Sequence, residues 1–186
     1  DDEGPVITGC NTPTPVQASG ANCEAVVSWP PLTAVDACSG VKSFTSSHSP
    51  GQLFPVGTTT VTYTAIDNVD NVSTCTFNVV VTDEAPTVTC VADQTRNTNP
   101  GVCSYKVLGN EFDPTAFTDN CDVATVTYSF TDKGGLQTGS NSLSGVDIER
   151  LDDVGGVSTP VTITWRVTDV KGNSSTCSFN LTIIDN

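Results

Sequence analysis

Eight cysteines fall into two sets of four with nearly the same spacing: Cys10, Cys23, Cys38 and Cys75 recur as Cys90, Cys103, Cys121 and Cys177, at offsets of 80, 80, 83 and 102 residues. A steady offset over three positions means one folding unit written twice. It sets the expected domains at 1–83 and 84–186, each of ordinary domain size. The jump at the last cysteine places about twenty extra residues between Cys121 and Cys177. The runs KGGLQTGSNSLSG and DDVGG supply loop chemistry there, so the insertion is expected near 131–158.

The cysteines also restrict the chemistry. With one histidine, His48, and no CxxC pair, zinc is a poor reading. An even count at a repeating spacing reads instead as disulfides, with all eight cysteines taking part, in a secreted or cell-surface setting. The sequence has no Met, no signal-like apolar run and no stretch of 18 apolar residues, so it reads as a mature fragment without a membrane span. Seven basic residues stand against 21 acidic ones, for a formal charge of −14. Nucleic acid is therefore excluded as a partner on charge grounds.

The two copies match best at their ends, VTYTAIDNVDNVSTCTFNVVVTD (61–83) against ITWRVTDVKGNSSTCSFNLTIID (163–185). Val61, Tyr63 and Ala65 alternate with Thr62 and Thr64, and Phe77, Val79 and Val81 resume the pattern after a polar loop. That period of two is a β-hairpin with one buried face. Further strands are expected at 5–10, 24–29 and 41–47, and at 86–91, 103–108 and 124–131. About seven short strands per copy, with no helical period, predict an all-β chain of two tandem immunoglobulin-like antiparallel β-sandwiches.

The first copy runs DEGPVITGC, CEAVVSWPP, DACSGV, then FPVGTTTVTYTAIDNVDNVSTCTFNVVVTD, and closely resembles the hyalin repeat (HYR) family. The second keeps VTC, DNC and TWRVTDVKGNSSTCSFNLTIID, but replaces FPVGTTTV with a longer loop and SWPPLTAVD with VLGNEFDP. The resemblance implies extracellular immunoglobulin-like modules that adhere or space other domains. It carries no catalytic motif.

Four cysteines per copy allow three pairings, and sequence alone does not choose among them. The favoured set is Cys10–Cys23 and Cys38–Cys75, repeated as Cys90–Cys103 and Cys121–Cys177. It joins consecutive strands by the first bond and an early loop to the last hairpin by the second.

In such a sandwich the N-terminal lead shares a pole with the loop between the second and third strands and the loop of the last hairpin. In the second copy this gathers Asp83, Glu84, Asp119, Asp122 and Asp169, a candidate calcium site, since calcium takes six to eight oxygen ligands. The first copy offers Asp2, Glu3, Asp36, Asp67 and Asp70 with Asn71. The competing reading makes Asp67, Asn71, Asp169 and Asn173 turn formers.

His48 beside Ser47 and Ser49 lacks the third group that a hydrolytic triad needs, and Trp29 and Trp165 sit at strand positions that favour the core over sugar stacking. Asn71, Asn173 and Asn180 begin N-x-S/T sequons, with Asn180 expected to face solvent. The sequence thus reads as a non-catalytic structural or adhesive module pair, a segment of a longer repeat array or fibre. Its partners would be neighbouring repeats, other surface proteins or glycans, with self-assembly through exposed sheet edges and the two poles. The alternative is a carbohydrate- or protein-binding accessory region of a secreted enzyme.

Overall fold

A computed structural model describes residues 2–152 and 158–185, leaving all of the DDVGG segment but its first residue outside the described residues. The chain forms two compact units, Asp1–Asp83 and Glu84–Asn186. Among the described residues there is no helix.

The first unit has eight strands: β1 (Val6–Thr8), β2 (Val16–Gln17), β3 (Glu24–Val27), β4 (Thr33–Val35), β5 (Val41–Ser46), β6 (Gln52–Pro55), β7 (Gly57–Asp67) and β8 (Val72–Thr82). A four-stranded sheet in the order β2-β8-β7-β5 faces the pair β3–β6, and β1 pairs with β4. The alternation read from the sequence is the burial pattern of β7, where Val61, Tyr63 and Ala65 point inward. Trp29 joins the two layers: its ring meets Phe54 of β6 and Phe77 of β8, with centroids 6.0 and 5.2 Å apart. Its indole N–H donates to Tyr63 Oη at 2.9 Å, so the buried polar atom is satisfied.

The second unit repeats this plan with β9 (Thr87–Thr89), β10 (Gln94–Asn97), β11 (Ser104–Lys106), β12 (Ala116–Thr118), β13 (Val123–Asp132), β14 (Gly135–Ser140), β15 (Asp147–Glu149), β16 (Val161–Asp169) and β17 (Ser174–Ile184). Its main sheet runs β10-β17-β16-β13-β14 and faces β11–β15. In both units the short strand before the second cysteine pairs in parallel with the last strand, Val16 opposite Val81 and Gln94 opposite Leu181. Both units also carry a register shift at the start of the first long strand, between Val41 and Ser43 in β5 and between Val123 and Thr125 in β13. These shared irregularities make the fold immunoglobulin-like in each copy.

The core aromatics have changed places between copies. Trp165 occupies the β16 position that Tyr63 holds in β7, and it donates to the Phe112 carbonyl at 2.9 Å. Phe112 takes the role of Trp29, packing on Phe179 with centroids 5.5 Å apart. The substitution of VLGNEFDP for SWPPLTAVD is therefore a compensated exchange within the core. Both tryptophans are buried, which removes them as sugar platforms.

Two expectations are corrected. The favoured disulfide pairing is wrong: Cys10 bonds Cys75 and Cys90 bonds Cys177, with Cα separations of 6.3 and 5.6 Å. These are ordinary bridging distances, and they arise because the first strand region runs beside the last strand. Cys23 and Cys121 are also disulfide-bonded, but Cys38 and Cys103 are free and exposed, so not all eight cysteines take part.

The insertion is not simply a loop either. Residues 135–140 form β14, an edge strand paired with β13 from Asp132↔Gly135 to Thr127↔Ser140. Gly135, at φ 106, closes the turn, and Leu143 beyond it is fully buried. A Gly- and Ser-rich run conceals this strand because its side chains contribute little alternation of their own.

At the β13–β14 pair, Gly139 lies directly opposite Tyr128, and a Cβ there would overlap the Tyr128 ring. Gly139→Ala is expected to cost about 1–3 kcal/mol in the parent and close to nothing in a Tyr128→Ala background. Chemical denaturation of the four proteins of this cycle measures it.

Candidate functional site

The acidic loops at one pole of each unit are built by turn chemistry. In the first unit Asp67 ends β7 and is fully buried. Its Oδ1 accepts from the Val69 and Asn71 amides at 2.9 and 2.8 Å, and its Oδ2 from Asn71 Nδ2 at 2.8 Å. Asp169 does the same in the second unit, accepting from Lys171 N at 2.7 Å, Asn173 N at 2.9 Å and Asn173 Nδ2 at 2.9 Å. Each turn places one residue at positive φ, Asp70 in the first unit and Gly172 in the second. The turn-former reading of these four residues is what the geometry displays.

The neighbouring loop closes on this turn. Asp36 Oδ1 gathers the Cys38, Ser39 and Gly40 amides at 3.1, 2.7 and 2.8 Å. Asn68 Nδ2 then donates to the Ser39 carbonyl at 2.7 Å. The N-terminal lead arrives at the same place: Asn71 Nδ2 donates to the Glu3 carbonyl at 3.2 Å. Gly4 lies so close to β8 that a Cβ would stand 2.6 Å from Ser73 Oγ.

In the second unit the corresponding loops meet through the Val170 amide, which donates to the Asp122 carbonyl at 3.1 Å. Carboxylate oxygens of Asp119 and Asp169 come within 4.8 Å of each other. Of the five residues expected to form a calcium site, Asp119 and Asp169 are thus brought together. Asp122 and Glu84 are exposed, and Asp83 is half-buried one residue beyond β8.

The electrostatics follow from these bonds. Burial by itself raises the carboxyl of Asp67, but the hydrogen bonds from Asn71, Ser39 and Val69 outweigh it and hold the group below its ordinary value. Asp36 is lowered against the same opposing burial by Ser39, Gly40 and Cys38, and Asp169 by Asn173, Lys171 and Gly172. Asp119 Oδ1 is buried without a hydrogen-bond partner.

Several organising residues escaped the sequence reading. Asp132 is buried and accepts from the Gly134 amide with one oxygen and from the Glu149 amide with the other, both at 3.0 Å, tying the inserted hairpin to β15. Arg96 pairs with Glu111 at 3.0 Å and lies 5.2 Å from the Phe112 ring centroid. Glu111 also accepts from Tyr105 Oη at 2.6 Å. An aspartate immediately before Lys-Gly-Gly was the one available signal, since it is a turn-forming residue at the start of a turn. Ser47 Oγ, 3.0 Å from His48 Nδ1, accepts from the Thr62 amide, so this hydroxyl braces a strand. Asn180 is half-buried, not fully solvent-facing as expected, and accepts from Thr162 at 2.9 Å.

The HYR domain model matches residues 1–81. "Sushi, von Willebrand factor type A, EGF and pentraxin domain-containing protein 1" of Rattus norvegicus is 30% identical over 187 residues, which cover 98% of this chain and 4% of that protein. Hyalin of Strongylocentrotus purpuratus is 30% identical over 156 residues, covering 81% of this chain and 11% of hyalin. Hyalin of Lytechinus variegatus is 34% identical over 152 residues, covering 69% of this chain and 28% of that protein. The chain thus spans less than a third of the length of each of these relatives. Among solved structures, mouse clustered PcdhgC3 EC1-3 covers 99% of this chain and 69% of its own, at 13% identity and a TM-score of 0.35.

The lowered carboxyls of Asp36 and Asp67 carry a pH dependence. A carboxyl whose folded value lies below its unfolded value stabilises the fold above the unfolded value, near pH 4. That stability is lost as pH falls through the folded value. The denaturation midpoint of the first unit is expected to fall steadily below about pH 4, and Asp67→Asn to flatten that slope; an unchanged slope in the variant would count against Asp67 as its source.

Proposed function

We propose, from the premise that the chain belongs to the HYR domain family, that it is an extracellular, non-catalytic spacer and adhesive segment within a longer repeat protein. One observation supports this most directly: in each unit the chain arrives at one pole and leaves at the other. In the first unit the lead packs at Glu3 and Gly4 beside the β7–β8 turn. The exit lies at the far end of β8, where Ala18 N bonds Thr82 O at 2.9 Å. An eleven-residue strand separates the two ends, or roughly 35 Å at the usual rise. In the second unit Thr87 lies next to Thr118 at the incoming pole, and Thr98 N bonds Ile184 O at 2.9 Å at the outgoing one. A unit of this kind transmits position along a chain without needing a cleft. Its partners are neighbouring repeats and other surface proteins or glycans.

A calcium ion at the incoming pole of the second unit is the finer part of this reading. The unpartnered Asp119 Oδ1 and the nearby Asp169 carboxylate supply the argument: two acidic groups in close approach repel unless a cation separates them. Asp119 would offer its free oxygen. Asp169, already holding three donors from its own turn, would offer the remaining lone pair of Oδ2.

The spacer reading is tested by pulling single molecules from their ends. Cys10–Cys75 and Cys90–Cys177 enclose sequence separations of 65 and 87 residues. Oxidised protein should therefore withhold about 230 and about 300 Å of contour length that appear after reduction. Equal extension before and after reduction would contradict the arrangement. Calcium is tested separately by melting: 1 mM calcium should raise the transition temperature over EDTA, and Asp119→Asn should abolish the difference. No shift in the parent protein ends the calcium reading.

A further inference from the structure

The two free cysteines are repeat equivalents of two bonded ones. Cys103 stands 80 residues after Cys23, and Cys121 stands 83 after Cys38. Cys23 and Cys121 are disulfide-bonded, whereas Cys38 and Cys103 are free and exposed. Each of the two repeat positions is therefore oxidised in one copy and reduced in the other. The two bonded cysteines are thus one of each kind, and so are the two free ones. In an oxidising compartment an exposed thiol whose sister position is bonded points to a missing partner.

Their places in the fold are complementary. Cys38 lines a cleft at the incoming pole of the first unit with Glu3, Gly4, Val6, Val35 and Asp36, on the loop that Asp36 pins through the Cys38 amide. Cys103 lines a cleft at the outgoing pole of the second unit with Asn99, Pro100, Val102 and Asp185. The tight turn before it is closed by Val102 N to Asn99 O at 3.2 Å. One thiol thus sits where the chain enters its unit and the other where the chain leaves.

We infer that Cys103 of one copy of this chain forms a disulfide with Cys38 of a second copy, joining copies head to tail. Oxidised glutathione supplies the oxidising equivalents. One Cys38 thiolate displaces a glutathione thiolate to give a mixed disulfide, and the Cys103 thiolate of the second copy attacks the Cys38 sulfur and expels the second glutathione. Two cysteine thiols are oxidised, one glutathione disulfide is reduced, and the two protons end on the two glutathione thiols. Because the joined surfaces differ, the contact does not close on itself, and the product is an open chain. The inference rests on the spacer reading, yet the two fail separately: a protein that stays monomeric loses the linkage and keeps its disulfide-limited extension under force.

The test incubates the whole chain in a glutathione redox buffer and follows it on non-reducing gels. The parent should give a ladder of dimer, trimer and higher species that collapses under dithiothreitol, with a Cys38–Cys103 cross-linked peptide in the dimer band. Cys38→Ser alone and Cys103→Ser alone should remain monomeric, while their equimolar mixture should stop at the dimer. Both variants should melt with the parent, since neither sulfur takes part in a disulfide within the chain. A parent that remains monomeric, with or without an internal Cys38–Cys103 bond, overturns the linkage, as do glutathione adducts alone or dimers formed by either variant by itself.

Discussion

The last hairpin of each unit depends on a buried aspartate at its tip. Asp67 and Asp169 spend their carboxylate oxygens on the amides and the Asn side chain of a turn only a few residues long, which fixes where β7 stops and β8 begins, and likewise β16 and β17. Since side chains alternate with a period of two, a slip of one residue would turn every inward valine and aromatic outward. From this register follow Tyr63 opposite Cys75 and Trp165 opposite Cys177. The cysteine of the last strand is thereby presented to the first strand region, and the long disulfide can form. In the chain-entropy model each such loop contributes about 4 kcal/mol, a large share of what a domain of this size retains overall.

This hairpin was also the most legible part of the sequence, for the same reason. Long strands with one buried face write their period into the chain. Several of the shortest strands do not: β2, β4, β10 and β12 exist because a neighbour offers paired backbone groups, and Val16-Gln17 or Gln94–Asn97 carry no periodicity of their own. The disulfide partners were hidden for a related reason. Proximity along the chain suggested Cys10 with Cys23, but a sandwich places its first and last strands side by side, so the distant pairing is the near one in space. In the acidic pole, sequence located the loops and their turn residues. It did not distinguish Asp169, with its oxygens committed to its own turn, from Asp119, with one oxygen unspent, because that difference is set by which amides lie within reach.

The copies have diverged by exchange in the core and by addition at the edge. Trp29 on one layer and Tyr63 on the other became Phe112 and Trp165, so the total aromatic volume crossing the sandwich is kept while its donors change hands. The second copy then gained β14, held by Asp132 to β15 and by Asp113 Oδ1 to the Leu143 amide at 3.0 Å. It also carries the Arg96–Glu111–Tyr105 cluster, which braces the segment leading to Phe112. The alternation of buried and exposed positions that defines the sheet leaves its edge free to accept such growth without disturbing the hairpin behind it.

The first long disulfide has a mechanical meaning. Tension arriving at Glu3 runs along the lead to Cys10, crosses the sulfur bridge to Cys75, and leaves through β8 to Thr82. Residues 11–74, which include β2 to β7 and the loop of Cys38, stand outside that route. The second unit is arranged alike, its bridge shunting force from Cys90 to Cys177 past everything between. Most of each sandwich thus lies off the covalent route that a pull on its two ends would take, and the surfaces there would keep their native shape under such a load.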